Sequence, residues 1–327
     1  MMQKGKNILA FSMVYLTVFL FITLAGCKAA APEQTIRFGY LVADQLHSPA
    51  VMVIKEKKML EAAGFAVEWH EYMAGSHAMQ DMAAGFIDFA SCGAAPIMIA
   101  HSQGAQLAIV AGANQEGSSL VVNDSITFIS DLDGKRIGTP GHGSIQDAML
   151  AQLAKAYDIQ IRRMAVEVSD MPLFLQKGEI DGFIAWAPHP AKAIEQEFGH
   201  ELLTSKSMMP NHQCCVLVTA QSFMDEDPQT VNTLLQIYLD AYQWFMDNQD
   251  EAVKMLAKYT DMDEAIIRQA LPTVYYSYPP YCNEASMQTM AQSLIETGRM
   301  TLKEADIEPF LEGLYRPDLL AKANASQ

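Results

Sequence analysis

The four-residue unit Gly-x-Ile-Asp occurs twice, as Gly85-Phe86-Ile87-Asp88 and Gly178-Glu179-Ile180-Asp181, 93 residues apart. Each copy follows a helix-like stretch and leads into a short apolar run, Phe89-Ala-Ser-Cys-Gly93 in one case and Gly182-Phe-Ile-Ala-Trp186 in the other. Upstream of each copy lies a second matching piece. Thr35-Ile-Arg-Phe-Gly39 and Lys135-Arg-Ile-Gly138 both read as strands, with their glycines 99 apart, and both pass through a polar loop into a helix. Two α/β units in succession are therefore expected. Alternating strand and helix signals imply parallel-type sheets with helices on both faces. Open sheets of that kind bind ligands beyond the carboxyl ends of their strands.

The 327 residues give room for two modest domains. The expected boundaries are residues 35–124 for lobe one and 125–221 for lobe two, with 222–327 returning to lobe one. Asp131-Leu-Asp-Gly134 is a turn that opens lobe two. Cys214-Cys-Val-Leu-Val-Thr-Ala220 reads as a strand leading back out of it. From Pro228 the pattern turns helical: Val231, Leu234, Leu235, Tyr238, Tyr242, Phe245 and Met246 follow the i, i+3, i+4, i+7 rule. This C-terminal segment is expected to pack on lobe one. Two crossings between lobes are the wiring of a hinge.

Composition narrows the partners. The formal net charge is −16 and no basic run exceeds short pairs such as Arg162-Arg163, so neither nucleic acid nor an anionic membrane surface is an expected partner. Lys4 and Lys6 precede the apolar run Ile8–Ala25, which makes residues 1–27 an export signal. Leu24-Ala-Gly-Cys27 resembles the bacterial lipoprotein signal, in which the cysteine is lipidated, and residues 28–34 then form a tether. An uncleaved membrane anchor is the alternative, the run being nearly long enough to span. Either way the domains lie outside the cytoplasmic membrane, on the periplasmic side if the cell has two.

With Cys27 used by lipid, Cys92, Cys214, Cys215 and Cys282 remain. An even number outside the cell permits disulfides, the strained 214–215 ring being the least favoured pairing. No close pair of cysteines or histidines has the spacing of a structural zinc site, so no metal and no cofactor are expected. Catalytic motifs are absent too: no His at zincin spacing follows His70-Glu71, no Gly-x-Ser-x-Gly elbow occurs, and the neighbours His142 and Ser144 make no triad. The chain reads as a binder, not an enzyme.

Several loops lead into helices where a ligand would sit. In Gly138-Thr-Pro-Gly-His-Gly-Ser-Ile-Gln-Asp147 the glycines expose N–H groups, and Ser144 with Asp147 has the capping-box pattern. A helix start suits an oxyanion, although the charge of Asp147 competes for the same donors and Ser144 has a purely capping role as its alternative. The corresponding turn in lobe one is Asp44-Gln-Leu-His-Ser-Pro49, joined by Gly75-Ser-His77 and Ser91-Cys-Gly-Ala-Ala-Pro96. Trp186 stands at a strand end, either against the ligand or in the core beside Pro188 and Pro190. The tyrosines of 275–281 read as a loop at the cleft wall or as ordinary loop packing.

The lipoprotein signal, Gly39-Tyr40-Leu41, Ala84-Gly85-x-Ile87-Asp88-Phe89, Asp131-Leu-Asp-Gly-Lys-Arg-Ile-Gly138 and Asp181-Gly182…Trp186-x-Pro188 occur in this order, and the resemblance they carry covers roughly residues 35–320. Together they resemble the solute-binding proteins of ABC importers of the nitrate/sulfonate/taurine type, whose relatives bind a thiamine pyrimidine precursor. The resemblance implies an α/β, two-lobed periplasmic-binding-protein clamp of type II-like form. It further implies a small-molecule ligand and delivery to an ABC permease and ATPase by a monomer. The chain departs from the family in its cysteines and in the histidines 47, 77, 142, 189 and 212 near loops. The expected ligand-binding residues are Asp44, His47, Ser76, His77, Cys92, Gly93, Thr139, His142, Gly143, Ser144, Trp186 and Asn211. The expected ligand is a sulfonate-, nitrate- or bicarbonate-like oxyanion. A thiamine-type heterocycle, a sensor role without transport, and a metal-binding clamp are the alternatives.

Overall fold

The computed structural model describes residues 34–326. The export signal, the lipidation at Cys27 and the tether as far as residue 33 lie outside the described residues. No helix among the described residues is long and apolar enough to cross a membrane.

Two five-stranded sheets carry the fold. The first contains β1 (Thr35–Leu41), β2 (Ala66–Tyr72), β3 (Phe89–Gly93), β4 (Leu107–Gly112) and, from much later in the chain, β11 (Cys215–Ala220). The second contains β6 (Ser118–Val122), β7 (Arg136–Thr139), β8 (Arg162–Ala165), β9 (Gly182–Trp186) and β10 (His200–Thr204). Their orders, β2-β1-β3-β11-β4 and β8-β7-β9-β6-β10, are the same arrangement built twice. A small third sheet pairs β5 (Gln115–Glu116) with β12 (Val274–Tyr275) at the first crossing.

The sheets are not wholly parallel. β1, β2 and β3 run together, as do β7, β8 and β9. β11 opposes both β3 and β4, and β6 opposes both β9 and β10. The reversed strand in each sheet is the one that arrives by a crossing, so it enters from the opposite end. This also moves the crossings relative to the expected boundaries at 124/125 and 221/222. β6 lies before the first of them yet belongs to the second sheet, and β11 lies before the second yet belongs to the first.

The Gly-x-Ile-Asp repeat has a structural cause. Gly85 and Gly178 turn the chain with φ of 78° and 69°, a region that favours glycine. Each then delivers its aspartate to the arginine of the neighbouring strand. Asp88 Oδ2 accepts from Arg37 N (2.8 Å) and Nε (3.1 Å), and Asp88 Oδ1 accepts from Nη2. Asp181 Oδ2 accepts from Arg136 N (2.8 Å) and Nε (3.1 Å), and Oδ1 from Nη2 at 2.8 Å. Arg37 and Arg136 also donate to the carbonyls of Gly85 and Gly178. The same fork thus locks β1 to β3 in one sheet and β7 to β9 in the other.

The periodicity from Pro228 is that of a helix, Pro228–Asp247, which packs beside β1. The helix Pro228–Asp247 buries Val231, Leu234, Leu235, Tyr238, Tyr242 and Phe245 in a core shared with β1 and the helix Pro49–Lys57. Each such side chain contributes about 1.5–3 kcal/mol on leaving water. The hydroxyls of Tyr238 and Tyr242 donate to the carbonyls of Gly112 (2.9 Å) and Ala113 (2.8 Å), pinning the helix to the start of the crossing. Met246 instead falls on the exposed side.

Candidate functional site

A cleft of about 940 Å³ has walls from both lobes. Lobe one contributes Asp44 and two helices, Gly75–Ala83 and Ala94–Ser102, whose lining runs from their amino ends past their carboxyl ends to Gly85 and Gln106. Lobe two contributes residues 140–146, at the amino end of the helix Ile145–Tyr157, together with Trp186. Cys214 and Cys215, where the chain returns to lobe one, are also in the lining. No lysine or arginine is among the lining residues.

The lobe-two wall is built by its sequence. Gly141 and Gly143 adopt φ of 132° and 83°, and a Cβ on Gly143 would come within 2.9 Å of Ile99 Cδ1 of lobe one. Ser144 caps the helix, its Oγ accepting from Asp147 N at 3.1 Å. In the first turn, the N–H groups of Ile145 and Gln146 have no acceptor within the helix, and both residues line the cleft. Gly75 and Ser76 stand at the equivalent positions of the opposite wall.

Asp147 does not spend its charge on those donors. It is fully buried, and its carboxylate accepts from Gly143 N (3.1 Å), Arg163 Nη1 (2.8 Å) and Arg299 Nη2 (2.7 Å). Arg299 follows the helix Glu284–Glu296 in the C-terminal segment, so this pair joins the lobes. Its Nη2 also lies 3.3 Å from His142 Nδ1.

A second link joins the lobes at Ala43. Trp186 Nε1 donates to the Ala43 carbonyl at 2.7 Å, and His189 Nε2 lies 3.0 Å from the same oxygen. Burial pushes the His189 imidazole down to about 4, so it sits there neutral with Nε2 as donor.

Beside the cleft is a polar cluster. His47 Nδ1 lies 3.3 Å from Cys214 Sγ, and Cys215 Sγ lies 3.3 Å from Asp44 Oδ2. Burial pushes the Asp44 carboxyl up to about 7. The hydrogen bond with Cys215 holds the Cys214 thiol well below its ordinary value; burial opposes this, and His47 and His212 reinforce it. Burial lowers His212, but Cys214 and Glu116 outweigh it and bring the imidazole to about 9. All four described cysteines are free and buried.

Of the residues expected from sequence, Asp44, Ser76, His77, Gly93, His142, Gly143, Ser144 and Trp186 line the cleft. The other four do not. His47 is buried behind Asp44, Cys92 is enclosed within β3, and Thr139 is buried at the end of β7. Asn211 is exposed and is not in the lining; its backbone N–H donates to Glu116 and its carbonyl accepts from Asn283. Tyr275 and Tyr281 border a separate small depression with Gly112 and Gln115. Sequence reasoning missed Arg163, Arg299 and the meeting of Cys214 and Cys215 with Asp44 and His47. The adjacent cysteines were the one signal available.

The NMT1-like family model matches residues 29–259. The chain belongs to that family. Among curated relatives of this NMT1-like protein, the taurine-binding periplasmic protein of Escherichia coli is 24% identical over 281 residues, covering 82% of this chain and 86% of the relative. Among solved structures, the periplasmic nitrate-binding protein of Synechocystis PCC 6803 superposes with a TM-score of 0.76 at 15% identity, covering 91% of this chain and 90% of its own. The ligand-binding component of an ABC-type import system from Staphylococcus aureus, with zinc bound, gives 0.75 at 19% identity, covering 89% and 99%. The NMT1-like chain thus has the periplasmic-binding-protein fold.

Proposed function

We propose that this NMT1-like protein is an extracytoplasmic, lipid-anchored solute-binding protein. It captures a small oxyanion between its lobes and delivers it to the permease and ATPase of an ABC importer. The carrying observation is the convergence of helix amino ends from both walls on one cleft without a lysine or arginine in its lining. Partial positive charge and unpaired N–H donors suit a compact anionic group that is held by dipoles. The neutralisation of Asp147 by Arg163 and Arg299 removes the main objection to an anion there. Contacts from both lobes let the ligand favour the closed arrangement. The taurine-binding relative and the nitrate-binding fold neighbour support the class: a sulfonate or a comparable oxyanion, with Ile99, Ile145 and Trp186 as apolar surface for an organic tail.

The test is a thermal-shift screen followed by calorimetry, using taurine, short alkanesulfonates, nitrate, bicarbonate and aminopyrimidines. An oxyanion is expected to raise the unfolding temperature in a concentration-dependent way. A response to the aminopyrimidines alone would replace the oxyanion with a heterocycle.

A further inference from the structure

The oxyanion reading has no use for a buried carboxylate and two thiols. Asp44, His47, Cys214 and Cys215 are each no more than 2% exposed. A ring nitrogen of His47 and the two sulfurs lie within 4.8 Å of one another, with Nδ1 3.3 Å from Cys214 Sγ. Asp44 closes the group: Oδ2 is 3.3 Å from Cys215 Sγ, and Oδ1 is 3.6 Å from His47 Nδ1. Asp44 Oδ1 has no hydrogen-bond partner. A buried carboxylate with an unanswered oxygen is costly and is relieved by taking up a proton or a cation.

We propose that Cys214 Sγ, Cys215 Sγ, His47 Nδ1 and an oxygen of Asp44 bind one thiophilic divalent cation of the zinc class beside the cleft. Two sulfurs, one imidazole nitrogen and one carboxylate oxygen form a donor set for zinc, whereas calcium and magnesium take oxygen ligands. Tetrahedral coordination with Zn–S of about 2.3 Å and Zn–N or Zn–O of about 2.0–2.1 Å sets ligand atoms roughly 3.3–3.8 Å apart. The His47–Cys214, Cys215–Asp44 and Asp44–His47 separations of 3.3, 3.3 and 3.6 Å fall in that range, the two contacts to Asp44 being made by different oxygens. Asp44, Cys214 and Cys215 line the cleft, so an ion has a way in. Coordination takes both sulfurs as thiolates and Nδ1 without its proton, so the displaced protons leave to solvent by the same route. His212 stands beside the donors as an outer partner, its Nδ1 3.4 Å from Glu116 Oε2 and 3.2 Å from the Met209 carbonyl. The donors are residues of this chain and owe nothing to the zinc-bound neighbour, which shares the fold alone.

The experiment uses the purified full chain, reduced and stripped of metal. Native mass spectrometry after zinc addition should show one ion retained per chain. Cobalt(II) in its place should give sulfur-to-cobalt charge-transfer bands and the intense visible bands of a tetrahedral site. Cys214→Ser with Cys215→Ser should abolish the charge-transfer bands. Asp44→Asn should keep them while weakening affinity by roughly 10–100-fold or more, the range that even outer-shell changes reach. His70→Ala, at a half-buried position on β2, should change nothing. Should the double variant fail to fold, alkylation of the wild-type chain remains decisive: zinc should protect Cys214 and Cys215 from iodoacetamide. No retained zinc, a six-coordinate cobalt spectrum without sulfur bands, or no protection would each overturn the assignment. Metal loading without oxyanion binding, or the reverse, separates this site from the proposed function.

Discussion

With both oxygens of Asp147 engaged, deleting that carboxylate leaves two guanidiniums directed at one vacated position. Asp147→Ala is expected to destabilise the protein by about 3 kcal/mol, at the lower end for a broken buried pair because Arg163 and Arg299 are each 27% exposed. Urea unfolding of the two proteins measures it. His189 makes an acid-side prediction. Its folded pKa, about 4, lies below the unfolded value near 6.5. The stability it confers is therefore present above about 6.5 and lost as pH falls towards 4, up to about 3 kcal/mol. Carboxylates titrate in the same window, so the comparison is with His189→Asn, whose unfolding temperature should fall less between pH 7 and 4. Single residues were the least legible scale. Gly143, Ser144 and Asp147 could be read because a cap is local in sequence. Cys214 meets His47 across 167 residues and Cys215 meets Asp44 across 171, and only the sheet order brings β11 beside β3. Asn211 and Thr139 looked equally exposed in sequence, yet one is claimed by Glu116 and the other by the interior of lobe two.

At the scale of elements, the repeat was visible through its glycine and aspartate but not through Arg37 or Arg136, which lie 51 and 45 residues upstream of their partners. Strand and helix periodicity disclosed the two sheets. It did not disclose the reversed strands, because a run such as Ser118–Val122 or Cys215–Ala220 carries no mark of direction. The helix Ile145–Tyr157 offers a graded test. Ser144→Ala should cost about 1 kcal/mol of stability through loss of the cap. Gly143→Val should be harsher, since a β-branched residue at φ 83° is strained and its Cβ would press on Ile99. We expect the valine variant to lose at least tenfold in ligand affinity by calorimetry while retaining its circular dichroism. Unchanged affinity would remove the helix start from the site.

For the whole molecule, the lobes meet through Asp147 with Arg299 and through the Ala43 carbonyl with Trp186 and His189. Trp186→Phe removes a single N–H donor, worth about 1 kcal/mol. It should weaken ligand binding several-fold, and small-angle scattering should show a larger radius of gyration without ligand than the wild type has. The two-lobed plan and the return of the C-terminal helices were readable because they depend on long apolar periodicities. The exchange of strands between lobes has a consequence for biosynthesis. β4 is attached to its sheet through β11, and β11 begins at Cys215. A nascent chain therefore emerges with β1, β2 and β3 able to pair while β4 lacks its neighbour. All five strands of the second sheet, from Ser118 to Thr204, are in hand before that neighbour appears. The half of the molecule that is made first is the half that is finished last, and until then its unmatched strand edges are the part most in need of a chaperone.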